Sequence, residues 1–270
     1  MIKDREALAK GLVVAAVEAA GVIMSHYEND IEVMCKGDKS PVTRADHEAE
    51  EILLRHLHAL APDIPVVAEE EVAAGRIPPD LGTRFFLVDP LDGTKEFLKQ
   101  NGQFTVNIGL IEDGVPTMGV VYAPAMNRMF YAIGPGQAFA QEIDPHKGVA
   151  HLDDNAPTAI AARPEPKDGV IAVSSGSHKH DAVEDFLASY NVVDRKEMGS
   201  SLKFCLIATG EADIYPRQPQ SSCEWDVAAA HAVLRAAGGD VTCLDGTPFL
   251  YGHADRKFLN PGFVAHGKRA

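Results

Sequence analysis

The sequence predicts a mixed α/β protein with an α+β N-terminal lobe and an α/β C-terminal lobe. A long alanine-rich helical pattern near the N-terminus and several apolar, strand-like segments between residues 84 and 141 indicate the first lobe. Strand-like and helix-like segments alternate from about residue 169 onward, as they do in layered α/β proteins. That alternation indicates the second lobe.

The composition is ordinary for a globular protein. At 270 residues, the chain is long enough for one large domain or two modest lobes. Its net charge of −14 argues against binding a nucleic acid polymer through a basic surface. Four cysteines without a Cys-x-x-Cys pair disfavour a disulfide framework or zinc knuckle and favour reduced thiols in the cytoplasm. The N-terminus lacks the layout of a signal peptide.

Two helices are predicted in the first 60 residues. In the first, over residues 4–27, apolar residues recur near the helical period. Its apolar run from Gly11 to Met24 contains Glu18 and is too short to span a bilayer, so we expect a core helix and no transmembrane segment. Thr43 is a typical N-cap for a second helix over residues 44–60, and Asp46 falls in the first turn of that helix.

An acidic motif follows the most apolar strand-like segment. Residues 84–88 predict a buried strand that stops at a turn holding Asp89 and Asp92. Gly93 lets the backbone turn sharply, and Thr94 starts a short helix over residues 94–98. Carboxylates favour hard cations such as Mg²⁺, whereas a helix start favours an anion. The motif therefore predicts Mg²⁺ and phosphate together, as in a metal-dependent phosphatase.

Further strands are expected around this motif. Residues 64–68 predict a short strand that runs into an acidic loop at Glu69, Glu70 and Glu71. An Asp-Gly turn at residues 113–114 joins two strand-like segments into an antiparallel hairpin. Two more strands are expected at residues 128–133 and 137–141. The proline-containing segment 144–169 has little periodicity, so we divide the chain into lobes 1–157 and 158–270.

The second lobe is predicted to alternate strands and helices. Its expected strands cover residues 169–174, 192–197, 212–215 and 240–244. Its expected helices cover residues 179–190, 199–208 and 225–237. Residues Ser221 to Glu224 have the spacing of a capping box before the last helix, and Gly238 and Gly239 end that helix.

The Asp-x-x-Asp-Gly-Thr motif admits three chemical interpretations. An EF-hand needs acidic groups at alternate positions and a distal glutamate, which this spacing lacks. An aspartyl-phosphate phosphatase would separate its two aspartates by one residue, whereas two residues separate Asp89 and Asp92. The third interpretation makes both aspartates ligands of a metal pair that activates water for in-line displacement. The exposed carbonyl of Leu91 can add another oxygen.

Three ordered motifs, at residues 68–70, 89–94 and 224–229, resemble those of the inositol monophosphatase superfamily. Finer features resemble its CysQ branch, the 3′(2′),5′-bisphosphate nucleotidases. They lie at residues 95–97, 104–108, 121–124, 199–205 and 258–263. The resemblance covers residues 36–263 and implies a layered α/β/α/β sandwich of the inositol monophosphatase and fructose-1,6-bisphosphatase type.

The same resemblance implies a set of metal ligands. Two or three Mg²⁺ ions would be bound by the carboxylates of Glu69, Asp89, Asp92 and Asp226 and by the carbonyl of Leu91. Glu70 would hold a loosely bound ion through water. Glu69, Leu91, Asp92 and Asp226 would also border the substrate.

Catalytic and substrate contacts are implied in the same way. Gly93 and Thr94 would present N–H groups to the scissile phosphate, and Thr94, hydrogen-bonded to Asp46, would orient or deprotonate the attacking water. The expected nucleotide contacts are His178, Ser200 and Lys203, with Arg217 as a further phosphate contact. Lys203 lies one turn inside a Gly-Ser-Ser helix start, a setting that favours anions.

The expected reaction is Mg²⁺-dependent hydrolysis of the 3′-phosphate of adenosine 3′,5′-bisphosphate, without a covalent intermediate. The corresponding phosphosulfate nucleotide is a second expected substrate, in sulfate assimilation, with inhibition by lithium. An inositol monophosphatase, a sugar bisphosphate phosphatase and a non-catalytic nucleotide or metal sensor remain alternatives. We expect a cytoplasmic protein, with peripheral inner-membrane contact left open, and either a monomer or a homodimer.

Overall fold

The computed structural model describes residues 4–29, 33–35, 41–175 and 181–269. Seven α-helices lie within these ranges: α1 (Arg5–Tyr27), α2 (Arg44–Leu60), α3 (Glu69–Ala73), α4 (Thr94–Leu98), α5 (Asp181–Leu187), α6 (Leu202–Ala208) and α7 (Trp225–Ala236). The predicted bounds of α2 and α4 are confirmed.

The strands of the described ranges form three sheets. A two-stranded antiparallel sheet contains β1 (Val33–Cys35) and β2 (Pro41–Thr43). A seven-stranded sheet has the order β3-β4-β5-β6-β7-β8-β9. Its strands are β3 (Val66–Ala68), β4 (Arg84–Asp92), β5 (Thr105–Glu112), β6 (Val115–Ala123), β7 (Arg128–Gly134), β8 (Gln137–Glu142) and β9 (Thr158–Ala159).

The third sheet has five strands in the order β11-β10-β12-β14-β13. They are β10 (Val170–Ser174), β11 (Val192–Glu197), β12 (Ile214–Arg217), β13 (Asp240–Cys243) and β14 (Phe263–His266). Strand β10 pairs in parallel with β11 and β12, whereas β14 pairs antiparallel with β12 and β13. All neighbours in the seven-stranded sheet are antiparallel except β3 and β4. The predicted hairpin of β5 and β6 is confirmed.

The alternation of side chains along β4 explains the layers. Phe86 and Val88 belong to a core formed with α1 and α2. Phe85 and Leu87 point to the opposite face, into a core formed with α6 and α7. That second core continues into one face of the five-stranded sheet, whose other face packs on α5. The predicted α/β/α/β sandwich is confirmed, and α5 adds a further helical layer on the outer face of the second sheet.

Two elements differ from the expectations. The run from Gly11 to Met24 was predicted to be too short to span a membrane, but it lies within a longer helix. Helix α1 has 23 residues, and an 18-residue window in it has a mean hydropathy of 1.9, so by length and composition the helix could cross a membrane. Its apolar residues are nevertheless largely buried in the core with α2, which is the environment of a core helix. Glu69, Glu70 and Glu71 form the first turn of α3 and not a loop.

Helix α7 lies unusually close to the seven-stranded sheet. Gly109 and Gly119 face each other across β5 and β6. A Cβ on Gly109 would lie 2.8 Å from the Cβ of Ala228, and one on Gly119 would lie 2.3 Å from the carbonyl oxygen of Ala229. Because these two glycines have no side chain, the small residues of α7 pack directly on the sheet. This contact fixes the position of the helix that carries Asp226.

Candidate active site

The acidic motif occupies the end of β4 and the turn into α4. Strand pairing with β5 shifts register between Asp89 and Asp92, because Pro90 has no N–H to donate. The backbone N–H of Leu91 instead donates to Asp89 Oδ1 at 3.0 Å. Gly93 has φ +93°, a conformation that glycine adopts without strain, and α4 begins at Thr94. Asp89 and Asp92 therefore stay paired with β5, and the backbone between them leaves the regular ladder.

Asp89 lies in a cluster of carboxylates. It is buried, and burial together with the charges of Glu69, Asp92 and Asp226 raises its pKa well above the ordinary value of 3.8. A side-chain hydrogen bond with Glu69 acts in the same direction. The four carboxylates repel one another when they are charged, and a bound cation would remove that repulsion.

Asp226 approaches the cluster from the first turn of α7. Its Oδ2 accepts the backbone N–H of Cys223 at 2.9 Å. Burial and then the charges of Asp92 and Glu69 raise its pKa well above 3.8. The predicted capping box is not formed at this helix start, because Ser221 donates its hydroxyl to Gln218 O and the buried Glu224 accepts N–H bonds from Gly252 and His253. Asp226 occupies the capping role instead.

Asp92 connects the turn to the N-terminus of α6. Its Oδ2 accepts the hydroxyl of Ser200 at 2.6 Å and the backbone N–H of Ser201 at 2.7 Å. Thr105, on β5, makes hydroxyl contacts with both serines. The Ser201 hydroxyl donates to the side-chain oxygen of Asn107 at 2.8 Å. These bonds place Ser200 where the sequence predicted it, beside the acidic turn.

Lys203 and Arg217 bring positive charge to the same pocket. A pocket of about 120 Å³ is bordered by both side chains together with Asp92, Ser200 and Asp226. Burial lowers the pKa of Lys203 to about 8, while the charges of Asp92, Glu96 and Asp226 oppose that shift and Arg217 adds to it. The Lys203 ammonium donates to the carbonyl of Ser200 and lies 5.3 Å from the centre of the Tyr215 ring. Arg217 donates to Ser221 O at 2.7 Å.

Glu69 and Glu70 are carried by the first turn of α3, which Glu50 of α2 caps. The Glu50 carboxylate accepts the backbone N–H of Glu70 at 2.8 Å and that of Glu71 at 3.0 Å. Burial raises the pKa of Glu50 to about 7, and these two N–H groups oppose the shift. This role of Glu50 was not predicted from the sequence. Its place on the buried face of α2 does not indicate which N–H groups its carboxylate binds.

Asp46 and Thr94 each make a hydrogen bond within their own turn. Asp46 Oδ2 accepts both the backbone N–H of Thr43 at 2.8 Å and its hydroxyl at 2.6 Å. The Thr94 hydroxyl is 3.5 Å from the carbonyl oxygen of Leu91. Oδ2 of Asp46 therefore caps α2, and the bond between Asp46 and Thr94 stays a prediction.

Apart from Asp46, Glu70 and His178, the predicted site residues fall into three sets. Asp89, Asp92, Glu69 and Asp226 interact electrostatically, and Gly93, Ser200, Lys203 and Arg217 border the same pocket as Asp92 and Asp226. Leu91 and Thr94 lie in the turn between β4 and α4. His178 lies outside the described residues. Thr105 and Asn107 belong to motifs that the sequence analysis noted, but their link to Ser201 required the structure.

The donor set suits Mg²⁺. Within residues 4–29, 33–35, 41–175 and 181–269, no three His, Cys, Asp or Glu side chains already converge as a ready-made metal site. Asp92 and Asp226 are instead hydrogen-bonded to N–H and hydroxyl groups of neighbouring turns. Carboxylate oxygens are nevertheless the ligands that Mg²⁺ prefers, and the mutual repulsion at Asp89 is what a divalent ion would remove. The residues therefore fit the ion.

Comparisons with known proteins agree with the fold and the motifs. The sequence model of the inositol monophosphatase family matches residues 4–266. A 3′(2′),5′-bisphosphate nucleotidase CysQ from Shigella flexneri is 41% identical over 250 residues, which cover 92% of this chain and 95% of that protein. The corresponding protein from Escherichia coli strain K12 is 40% identical over the same length.

Solved structures give the same result. The crystal structure of CysQ from Bacteroides thetaiotaomicron superposes with a TM-score of 0.78 at 34% identity, covering 98% of both chains. An inositol monophosphatase from an Anabaena species shares the fold, with a TM-score of 0.70 at 24% identity over 97% of this chain and 91% of that one. The resemblance seen in the motifs is confirmed, and the chain belongs to the inositol monophosphatase family.

Proposed function

We propose that the protein is a Mg²⁺-dependent phosphatase that hydrolyses the 3′-phosphate of adenosine 3′,5′-bisphosphate to give AMP and phosphate. The observation that carries the proposal is one pocket bordered by acidic Asp92 and Asp226 and by cationic Lys203 and Arg217. Such a pocket offers the acidic groups for metal ions and separate cations for a second phosphate. The CysQ relatives, named as bisphosphate nucleotidases, support the choice of a nucleotide.

The metal ligands in this proposal are Glu69, Asp89, Asp92 and Asp226, with the Leu91 carbonyl and with Glu70 at a more loosely held ion. Two or three Mg²⁺ ions, when bound, would supply an activated water and charge neutralisation at the phosphoryl group. The chain itself would orient the scissile phosphate through the N–H groups of Gly93 and Thr94 at the start of α4. Thr94 and Asp46 are proposed to orient or deprotonate the attacking water.

Lys203 and Arg217 would hold the other phosphate, with Ser200 as a hydroxyl contact. A lysine whose pKa is lowered to about 8 becomes more firmly protonated when a phosphate dianion binds next to it. His178 remains a proposed nucleotide contact. The phosphosulfate nucleotide is a second proposed substrate, in sulfate assimilation, and lithium is a proposed inhibitor. We propose a cytoplasmic setting and a monomer or homodimer.

The test compares phosphate release from adenosine 3′,5′-bisphosphate, inositol 1-phosphate and fructose 1,6-bisphosphate under identical conditions with Mg²⁺. We expect strong preference for the nucleotide, loss of release in EDTA and suppression by Li⁺. Preference for inositol phosphate would retain the metal site and overturn the roles of Ser200 and Lys203. Nucleotide binding without release from any substrate would favour a sensor over an enzyme.

A further inference from the structure

The segment from Phe258 to Phe263 resembles a motif of the CysQ branch but contributes no residue to the proposed metal or substrate contacts. It follows a turn in which Lys257 and Phe258 have φ values of +57° and +58°. The segment lies against residues 220–224, which immediately precede α7. Gln220 N donates to Asn260 O at 2.8 Å, and Asn260 N donates to Ser222 O at 2.9 Å.

The side chain of Asn260 adds two bonds to the same turn. Asn260 is 1% exposed, and its Nδ2 donates to Cys223 O at 2.6 Å and to Ser222 Oγ at 3.0 Å. Its Oδ1 has no hydrogen-bond partner among the described residues. The buried amide therefore acts as a donor toward the turn.

The peptide groups of Cys223 connect Asn260 to Asp226. Cys223 O accepts Asn260 Nδ2 and also the backbone N–H of Asp226 at 3.2 Å. Cys223 N donates to Asp226 Oδ2 at 2.9 Å. Cys223 therefore binds both the backbone and the carboxylate of Asp226, and Asn260 in turn binds Cys223.

We propose that Asn260 is a positioning residue that orients the Asp226 carboxylate for Mg²⁺ through the Cys223 peptide groups. This inference rests on the proposed function, because it requires Asp226 to bind the ion. Groups that orient metal ligands commonly change metal affinity by roughly 10- to 100-fold when they are removed. A purely structural asparagine would lower stability without changing that affinity.

The experiment titrates Mg²⁺ into metal-free protein by calorimetry, for wild type and for Asn260→Leu, which keeps the side-chain size and removes both donors. The matched control is Tyr251→Phe. It removes a buried hydroxyl that lies 2.9 Å from Nδ1 of His231, and His231 is on α7, the helix that also carries Asp226. We expect the Mg²⁺ dissociation constant to rise about 10- to 100-fold in Asn260→Leu and to stay at the wild-type value in Tyr251→Phe. Excess Mg²⁺ should restore kcat in Asn260→Leu, with KM for the nucleotide unchanged.

Equal Mg²⁺ affinity in wild type and Asn260→Leu would overturn the inference alone. Absence of Mg²⁺ binding by the wild type would overturn the proposed metal site, and the inference with it. If Asn260→Leu does not fold, Asn260→Asp serves in its place, because it keeps the side-chain shape and removes both N–H donors. Unchanged affinity in that variant would equally overturn the inference.

Discussion

Ser200 donates its hydroxyl to Asp92 at 2.6 Å, although the two residues are separated by 108 positions in the chain. The bond joins the start of α6 to the turn after β4. Ser200 has φ +55°, which is an uncommon conformation for a residue with a side chain. Its hydroxyl and the N–H of Ser201 meet the same carboxylate oxygen. Residues from both halves of the chain thus determine the orientation of Asp92.

Replacing Ser200 tests this relationship. Ser200→Ala removes one of the two short bonds to Asp92, so we expect phosphate release to fall roughly 10-fold, as is usual when a group that orients a metal ligand is lost. The control is Ser189→Ala, whose exposed hydroxyl donates to Phe186 O at 2.9 Å. Equal turnover in the two variants would contradict an orienting role for Ser200.

Asp89→Asn separates metal binding from folding. The substitution removes a buried charge that Glu69, Asp92 and Asp226 already oppose, so in EDTA we expect a free energy of unfolding equal to or above that of the wild type. With Mg²⁺ we expect at least about 100-fold lower turnover, because a ligand is lost. Thermal unfolding with and without Mg²⁺, beside the phosphate assay, measures both effects. Unchanged turnover would refute the metal assignment.

Lys203→Met keeps the length of the side chain and removes its charge. A hydrogen bond to a charged group is worth about 1.5–3 kcal/mol, so KM for adenosine 3′,5′-bisphosphate should rise about 10- to 100-fold with a smaller change in kcat. Steady-state kinetics measures the separation, and the exposed Lys167→Met is the control. A fall in kcat at constant KM would place Lys203 at the reacting phosphate instead.

Gly119→Ala tests the seat of α7 on the sheet. The new Cβ would lie 2.3 Å from Ala229 O, and such overpacking typically destabilises by about 1–3 kcal/mol. The control Gly21→Ala adds a methyl group to α1 with no atom within 4 Å, so it should raise stability slightly through helix propensity. Urea unfolding of both variants compares them. Wild-type stability in Gly119→Ala would show that α7 can move without penalty.

A buried histidine on α7 makes stability depend on pH. His231 Nδ1 is 2.9 Å from the Tyr251 hydroxyl and Nε2 is 2.8 Å from Asp240 Oδ1. Burial lowers its pKa below the ordinary 6.5, although Asp240 opposes the shift, while Arg235 and His266 add to it. Its contribution to stability is therefore complete above pH 6.5 and is lost as pH falls through the lowered folded-state value.

Urea unfolding at several pH values below 6.5 measures this loss in wild type and His231→Asn. The variant removes the titrating ring, so the difference between the two proteins isolates His231 from other groups. We expect this difference to decrease by up to about 1.4 kcal/mol per pH unit within the window. A difference that stays constant with pH would refute the assignment.

Local sequence patterns predicted the acidic motif in part, since β4 continues to Asp92 and does not stop at Val88. The apolar residues before Asp89, the proline after it and Gly93 before Thr94 fix a strand, a break and a helix start by nearest-neighbour chemistry alone. The same reasoning failed at Ser221 to Glu224, where the spacing of a capping box is present. The Glu224 carboxylate instead accepts the backbone N–H groups of Gly252 and His253. A local motif competes with distant partners that the spacing does not reveal.

By itself, the sequence determined the family and most of the helix and strand segments, and it predicted an acidic ligand set, since periodicity, turn residues and short motifs are local properties. The tertiary structure decided which residues meet. It brought Ser200 to Asp92, Glu50 to the start of α3 and Asn260 to the turn before Asp226. Those contacts depend on how helices seat on sheets, as Gly109 and Gly119 show for α7. Close packing brings together residues that are far apart in the chain, and a local sequence pattern does not specify which of them meet.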